Sequence, residues 1–362
     1  MLYRVIGLMS GSSLDGLDIA YVQFEETAGI WTFDIRETTC IPYSAGWQKK
    51  LSDLTNLSAK DYLLLNAEYG RYIGNAVQAF IEEKNLAFQV QLISSHGHTA
   101  FHLPASGITA QLGNGAGISA ITGIRTITDL RAVDVALGGQ GAPIVPIGEN
   151  MLFPEYHLFL NIGGIANISA HDRSVIGFDV CPANRVLNLL AEHSDKGYDE
   201  NGRLAAAGKI NEELLTQLNA FEYYKAAFPK SLSNEFGLKE VYPLIENAKL
   251  SREDALRTYV QHMIEQIANS IRSFPRTESD QSERRLLITG GGAHNIFLIE
   301  KLTEELKRFG IVCVVPDDKI IDYKEALIIA LMGALRWREE INVMQTVTGA
   351  SKDSINGALW TV

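Results

Sequence analysis

Four short stretches combine glycine with small polar side chains: MSGSSLDG at 9–16, GNGAG at 113–117, NIGGIAN at 161–167 and GGGAHN at 290–295. Glycine lets backbone N–H groups come close to phosphate oxygens and accepts the positive φ that curls them around an anion. For any one of these stretches a tight turn without a ligand is the favoured reading. Three of them directly follow a run that reads as a strand, and together they predict a nucleotide-phosphate site. The common phosphate fingerprints are absent: the Gly208-Lys209 pair is followed by Ile210, so there is no Walker A sequence, and no GxGxxG follows a strand. What remains is phosphate held by paired hairpin turns that face each other across a cleft.

A second pattern is HxHxxxH, formed by His96, His98 and His102. On a strand His96 and His98 share one face, which admits a metallohydrolase reading. No Asp, Glu or Cys motif accompanies them. The cysteines Cys40, Cys181 and Cys313 are odd in number and lack CxxC spacing, so they read as free thiols.

Composition bounds the partners. The 362 residues, 46% hydrophobic, can bury a large core and suggest two domains of roughly 100–200 residues each. A net charge of −11 argues against broad attraction to nucleic acid or an anionic membrane. Neither a signal-peptide core nor a run of roughly 18 apolar residues is present, so the expected location is cytoplasmic. An anionic ligand must then be held by local geometry.

The elements that position these groups follow from periodicity. Residues 3–9, 17–24 and 30–41 read as an antiparallel meander, and 59–84 as helix, followed by a buried strand at VQLISS. Strand-turn-strand recurs at 157–170, with a further strand at SVIGFD, echoing the first unit about 150 residues later. Ser251 and Asp254 suit a capping box for a helix over 252–273. Strands at 286–290 and 311–316 alternate with helices ending near 308 and spanning about 324–337, which implies parallel sheet; the polar stretch 275–284 reads as a surface loop.

The blocks GLMSGSSLDGLD, SHGHTAFH, LGGQGAPIVP, LFLNIGGIANIS, GFDVCPAN, ITGGGAHN and TVTGAS occur in the order and character of the anhydro-N-acetylmuramic acid kinases, which this sequence resembles from residue 5 to about 351. That resemblance implies an α/β, two-lobed actin-like ATPase fold of duplicated RNase H-like domains, with ATP and sugar in the interdomain cleft. The expected domains are 1–145 and 146–337, with 338–362 returning to the first. The implied reaction opens the 1,6-anhydro bridge of anhydro-N-acetylmuramic acid and phosphorylates its 6-oxygen, in peptidoglycan recycling.

By the same resemblance Asp179 is the catalytic carboxylate. It would deprotonate a water attacking the anomeric carbon, while the γ-phosphoryl group captures the leaving oxygen, so no separate acid is needed. Its competing structural role is an N-terminal carboxylate of the helix that follows. Ser10, Gly11, Ser12, Ser13 and Asp15, with Gly163 and Gly164, match the phosphate turns, and Gly290, Gly291, Gly292 and Asn295 the nucleoside segment. Mg2+ is expected with ATP, and Asp15 and Asp18 are its nearest ligands through water; both are equally readable as turn residues. His98, Thr99, Arg131 and Glu325 match the sugar pocket, as does Asp134. A surface salt bridge competes for Arg131 and a solvated first-turn position for Glu325.

Departures from the family pattern are Ser12 for threonine, His98 for glutamine, Val180, Cys181 and Ala183 for a threonine and two glycines, and KSLSNE at 230–235 for KSTGRE. They leave two rivals: an ordinary sugar or amino-sugar kinase of the same superfold, and a nucleotide-binding regulator without turnover. Partners are ATP and a small amino sugar, with a homodimer left open.

Overall fold

The computed structural model describes every residue except 12, 13, 172–174, 193, 195, 229 and 275–282, and describes residue 234 by its backbone alone. Most of the stretch read as a polar surface loop, up to 282, therefore lies outside the described residues. The chain forms two compact units, Met1–Pro154 with Tyr323–Val362, and Glu155–Asp322.

In the first unit, β1 (Leu2–Ser10), β2 (Gly16–Thr27) and β3 (Ile30–Pro42) form the expected antiparallel meander. Val5, Ile6 and Leu8 are fully buried, so β1 has protein on both faces and reads as a continuous apolar run rather than an alternation. β4 (Leu92–Leu103) lies parallel to β1, β5 (Ile108–Leu112) folds back on β4, and β6 (Thr126–Thr128) runs parallel to β4. The terminal strand Ala358–Trp360 closes this edge against β6. The helix Ala59–Glu83 starts where Ser58 accepts the Asp61 N–H at 3.2 Å, and it buries Leu65, Tyr69, Ile73, Val77 and Phe80, one stripe at helical spacing.

The second unit repeats the plan. β7 (Leu158–Ile162), β8 (Ile165–His171) and β9 (Val175–Pro182) form a meander, β10 (Arg284–Thr289) runs parallel to β7, and β11 (Ile311–Val314) parallel to β10. The order β11-β10-β7-β8-β9 reproduces β6-β4-β1-β2-β3. The echo seen in the sequence is thus a duplicated topology, as the resemblance implies. The helix Arg252–Ser273 begins at Ser251, whose hydroxyl accepts the Asp254 N–H at 3.1 Å, and it supplies Leu256, Tyr259, Val260, Met263 and Ile264 to the core.

The helix expected at 324–337 starts earlier, as Asp318–Trp337, because the Asp317 carboxylate accepts the Ile320 N–H at 3.0 Å. From Tyr323 onward it belongs to the first unit, as does the short helix Pro146–Leu152, where the sequence reading placed both in the second domain. The reason is steric. A Cβ on Gly7 would lie 1.9 Å from the Ala326 carbonyl oxygen, one on Gly148 2.5 Å from Ile328, and one on Gly333 2.5 Å from the Ser94 side chain. Missing side chains let the helix settle onto β1 and β4. No helix among the described residues is long and apolar enough to cross a membrane.

Gly7→Ala is expected to cost about 1–3 kcal/mol of stability by overpacking. Gly46→Ala, whose nearest neighbour would be 3.8 Å away, should be neutral or gain up to about 1 kcal/mol. Denaturant unfolding of both variants checks this, and equal midpoints would refute the close approach.

Candidate active site

Asp179 sits near the end of β9, where the pairing with β8 slips: Ala166 faces Cys181 but Asn167 faces Asp179, so Val180 is an extra residue. Such a bulge bends the strand and re-aims its side chains. One carboxylate oxygen, Oδ2, accepts the Leu232 N–H at 2.9 Å, and the Tyr223 hydroxyl donates to the Asp179 carbonyl. Oδ1 has no partner among the described residues. Burial pushes the carboxyl above the ordinary aspartate value, and the Leu232 N–H offsets part of that rise. The neighbouring cation does not pair with it: Lys230 Nζ donates to the Tyr223 carbonyl at 3.2 Å and lies over the Phe178 and Tyr223 rings. The outcome is a half-buried carboxylate with one free oxygen and raised basicity.

The two glycine turns of this unit meet each other: Gly290 and Gly292 lie against Asn161 and Ile162. The carbonyls of Gly163 and Gly164 accept the N–H groups of Asn184, Ala183 and Arg185, so the start of the helix Asn184–Leu190 is spent on the turn. The N–H groups of Gly163 and Gly164 themselves have no acceptor among the described residues. Neither glycine has a positive φ, and a Cβ on either would meet nothing closer than 3.5 Å. The packing of the fold therefore does not require glycine at either position. Gly290 and Gly292 differ. Gly290 has φ +81°, and a Cβ on Gly292 would lie 2.2 Å from Ile162 Cγ2, so these two are demanded by packing against the first turn. Gly291 lies nearest Asn184 Nδ2, which donates to the Ile162 carbonyl at 3.0 Å. Asn295 caps the helix Ile296–Lys307 through the Leu298 N–H at 3.0 Å, so its side-chain oxygen is committed to the fold.

In the first unit, Ser10 ends β1 and is 3% exposed. Its hydroxyl lies 2.9 Å from His98 Nδ1 and accepts from Tyr43 at 2.7 Å, so it is engaged inside the protein rather than offered to a ligand. Gly11 follows it; Ser12 and Ser13 lie outside the described residues. Asp15 is exposed and its carbonyl accepts the Tyr43 N–H, while Asp18 lies on β2 opposite Met9, near enough to the Tyr43 hydroxyl for its charge to be felt there.

Arg131 donates through Nε to His96 Nε2 at 2.9 Å and through Nη1 to the Gly141 carbonyl. The other ring nitrogen of His96 lies 2.9 Å from the Gly97 carbonyl, so it carries the proton. Burial, then the guanidinium, pulls His96 down to about 3. Burial also lowers Arg131 to about 10, while the charges of Glu325 and Asp134 act to hold it up. Glu325 is pushed up by burial, with Lys324 and Arg131 offsetting. Thr99 is exposed on β4, opposite Gln111.

Besides Ser10 and Asn295, two further sequence readings change here. Both oxygens of Asp134 are used, by the Thr348 hydroxyl at 2.6 Å and the Gly141 N–H at 2.7 Å, so it anchors the chain and is not a sugar ligand. The metallohydrolase reading, already disfavoured in the sequence, gains no support: both His96 nitrogens and His98 Nδ1 are engaged, and no group of three His, Cys, Asp or Glu that could hold an ion occurs among the described residues. GNGAG at 113–117 is a helix start, with Asn114 capping the Gly117 N–H at 2.8 Å and Gly115 packed under Trp360. Tyr223 and Leu232 were not legible as site residues, because they reach Asp179 from 44 and 53 residues away. Arg185, with Nε about the Gly164 turn, was also missed.

A family model described as anhydro-N-acetylmuramic acid kinase matches residues 3–362. A relative of that name from Aliivibrio fischeri is 34% identical over 99% of each chain, and one from Coxiella burnetii is 33% identical over 99% of this chain and 97% of its own. A solved structure, the activator of the 2-hydroxyisocaproyl-CoA dehydratase from Clostridium difficile with bound ADPNP, aligns over 93% of this chain and 96% of its own, with a TM-score of 0.48 and 15% identity.

The two kinds of glycine should separate in stability. Gly292→Ala is expected to lose about 1–3 kcal/mol, whereas Gly164→Ala should unfold within about 0.5 kcal/mol of the parent. Calorimetry on both decides it; a strongly destabilised Gly164→Ala would mean that the turn is built for the fold alone.

Proposed function

The chain belongs to the anhydro-N-acetylmuramic acid kinase family, and on that premise we propose that Asp179 is the base of an ATP-dependent kinase that opens the 1,6-anhydro bridge and phosphorylates the freed 6-oxygen. The observation that carries the assignment is the free oxygen of a half-buried, unpaired carboxylate on a strand bulge. Asp179 takes a proton from water as the water oxygen bonds to the anomeric carbon. The bridging carbon–oxygen bond breaks, its electron pair passes to the 6-oxygen, and that oxygen attacks the γ-phosphorus as ADP leaves. The products are N-acetylmuramic acid 6-phosphate, ADP and the proton from Asp179.

The N–H groups of Gly163 and Gly164 suit phosphate oxygens, with Arg185 beside them as a cation. By the family resemblance Gly11 would serve similarly, and Gly290 to Gly292 would shape the nucleoside site. Magnesium would neutralise phosphate charge there, and Asp15 and Asp18 are the carboxylates that would hold it, through water. Arg131, Glu325, His98 and Thr99 are the candidate sugar contacts, Arg131 being suited to the lactyl carboxylate. We place the reaction in the cytoplasm, where ATP is supplied, with a homodimer as the assembly to test by light scattering.

Asp179→Asn should lower turnover by about 100- to 10,000-fold while ATP affinity stays nearly constant. In ¹⁸O-water the parent should place label at the anomeric oxygen of a 6-phosphate product; unlabelled product from open sugars alone would make it a simple sugar kinase.

The pH profile gives a separate check. A raised pKa means that the base form of Asp179 is lost at a higher pH than for an ordinary aspartate at 3.8. The acid limb of kcat/KM should therefore sit above that value, and a limb at or below it would contradict the assignment.

A further inference from the structure

Four side chains at the end of β1 form a hydrogen-bonded row: Tyr69, Tyr43, Ser10 and His98. Its polarity can be worked out. Tyr43 donates to Ser10 at 2.7 Å, so the proton between the two tyrosines, 2.6 Å apart, comes from Tyr69. The Ser10 oxygen is met by that donor, and its own proton is left for the acceptor beside it, His98 Nδ1 at 2.9 Å. In this direction no buried donor is orphaned. His98 Nδ1 is then an acceptor, and a neutral ring must carry its proton on Nε2.

The ring is 5% exposed, and Nε2 has no partner among the described residues. We propose that His98 is a sugar-positioning residue, whose Nε2–H is held in that tautomer by the hydroxyl row and donates to an acceptor oxygen of the bound amino sugar. This rests on the kinase reading above. Burial keeps the ring uncharged near neutrality, pulling it down to about 4. A neutral donor suits an amide, ether or hydroxyl oxygen, whereas phosphate favours a cation. Tyr43 acts only through Ser10 and His98, with its own hydroxyl pushed up to about 12 by burial and so always protonated.

The row can be tested without any substrate. Long-range ¹H–¹⁵N correlation spectra of the histidine-labelled full chain, with His98 assigned by loss of its signals in His98→Gln, should show the Nε2–H form, and Tyr43→Phe should reduce its share. An Nδ1–H pattern would overturn the row. Kinetics then test the contact: His98→Leu should raise the sugar KM roughly 5- to 10-fold with the ATP KM within about 2-fold, and His98→Gln, which keeps an N–H donor, should recover most of it. Should His98→Leu fail to fold, Tyr43→Phe carries the same test and should raise the sugar KM alone. An unchanged sugar KM, or a rise in the ATP KM instead, overturns the assignment to sugar. Absence of turnover by the parent enzyme would sink the kinase reading while leaving the tautomer result intact.

Discussion

The helix Asp318–Trp337 lies on the first sheet at a distance that only missing side chains permit. Gly7 on β1 faces the Ala326 carbonyl, Gly333 faces Ser94 on β4, and Gly148 receives Ile328. Interiors are close-packed, so one added methyl at such a point moves backbone rather than side chain. Much of the first unit's chemistry depends on this contact. β1 carries Ser10 at its end and β4 carries His96 and His98, while the helix carries Lys324, which is paired with Glu149 at 2.9 Å, and Glu325, whose charge Arg131 feels. A chain segment more than 300 residues downstream of β1 is thereby held to it.

The two units treat buried charge in opposite ways. In the first, the Arg131 guanidinium is neutralised at a distance by Glu325 and Asp134 and spends two of its donors on His96 and the Gly141 carbonyl. It stays charged, and the histidine beside it stays neutral. In the second, Asp179 is denied a cation: Lys230 is turned onto aromatic faces and a backbone carbonyl, and the carboxylate is met by an uncharged N–H. An ion pair would have lowered its pKa and weakened it as a base. For the base proposed above, the interaction that was not made is what keeps its basicity.

Periodicity was legible wherever an element buries one face, as in the helix Arg252–Ser273, or both, as in β1. The duplication was visible because each meander carries a glycine turn at the same place. The start of the helix Asp318–Trp337 was missed, although Asp317 is a residue type preferred at that cap and was there to be read. Glycine stretches showed the limit most plainly. GNGAG and NIGGIAN look alike as strings, yet Gly115 is demanded by the Trp360 ring and Gly163 by no neighbour at all. Long-range sterics decide which glycine is free for a ligand, and those partners lie far away in the chain. The roles of Tyr223 and Leu232 were hidden for the same reason.

Val180, Cys181 and Ala183 differ from the family pattern right beside Asp179, which puts the sugar chemistry in question on sequence grounds. Their placement is in the core. All three are 1% exposed or less and belong to the core with Val186, Tyr259 and Met263; burial pushes the Cys181 thiol far up, so it packs as a small apolar group. The Tyr259 hydroxyl pins the Pro182 carbonyl at 2.7 Å, fixing the backbone between them. Within GFDVCPAN, the half-exposed groups are Gly177, Asp179 and Asn184, each of which matches the family pattern. The substituted residues therefore form the wall behind the carboxylate, where a change of volume is absorbed by repacking, and Asp179 keeps its partly exposed place in front of them.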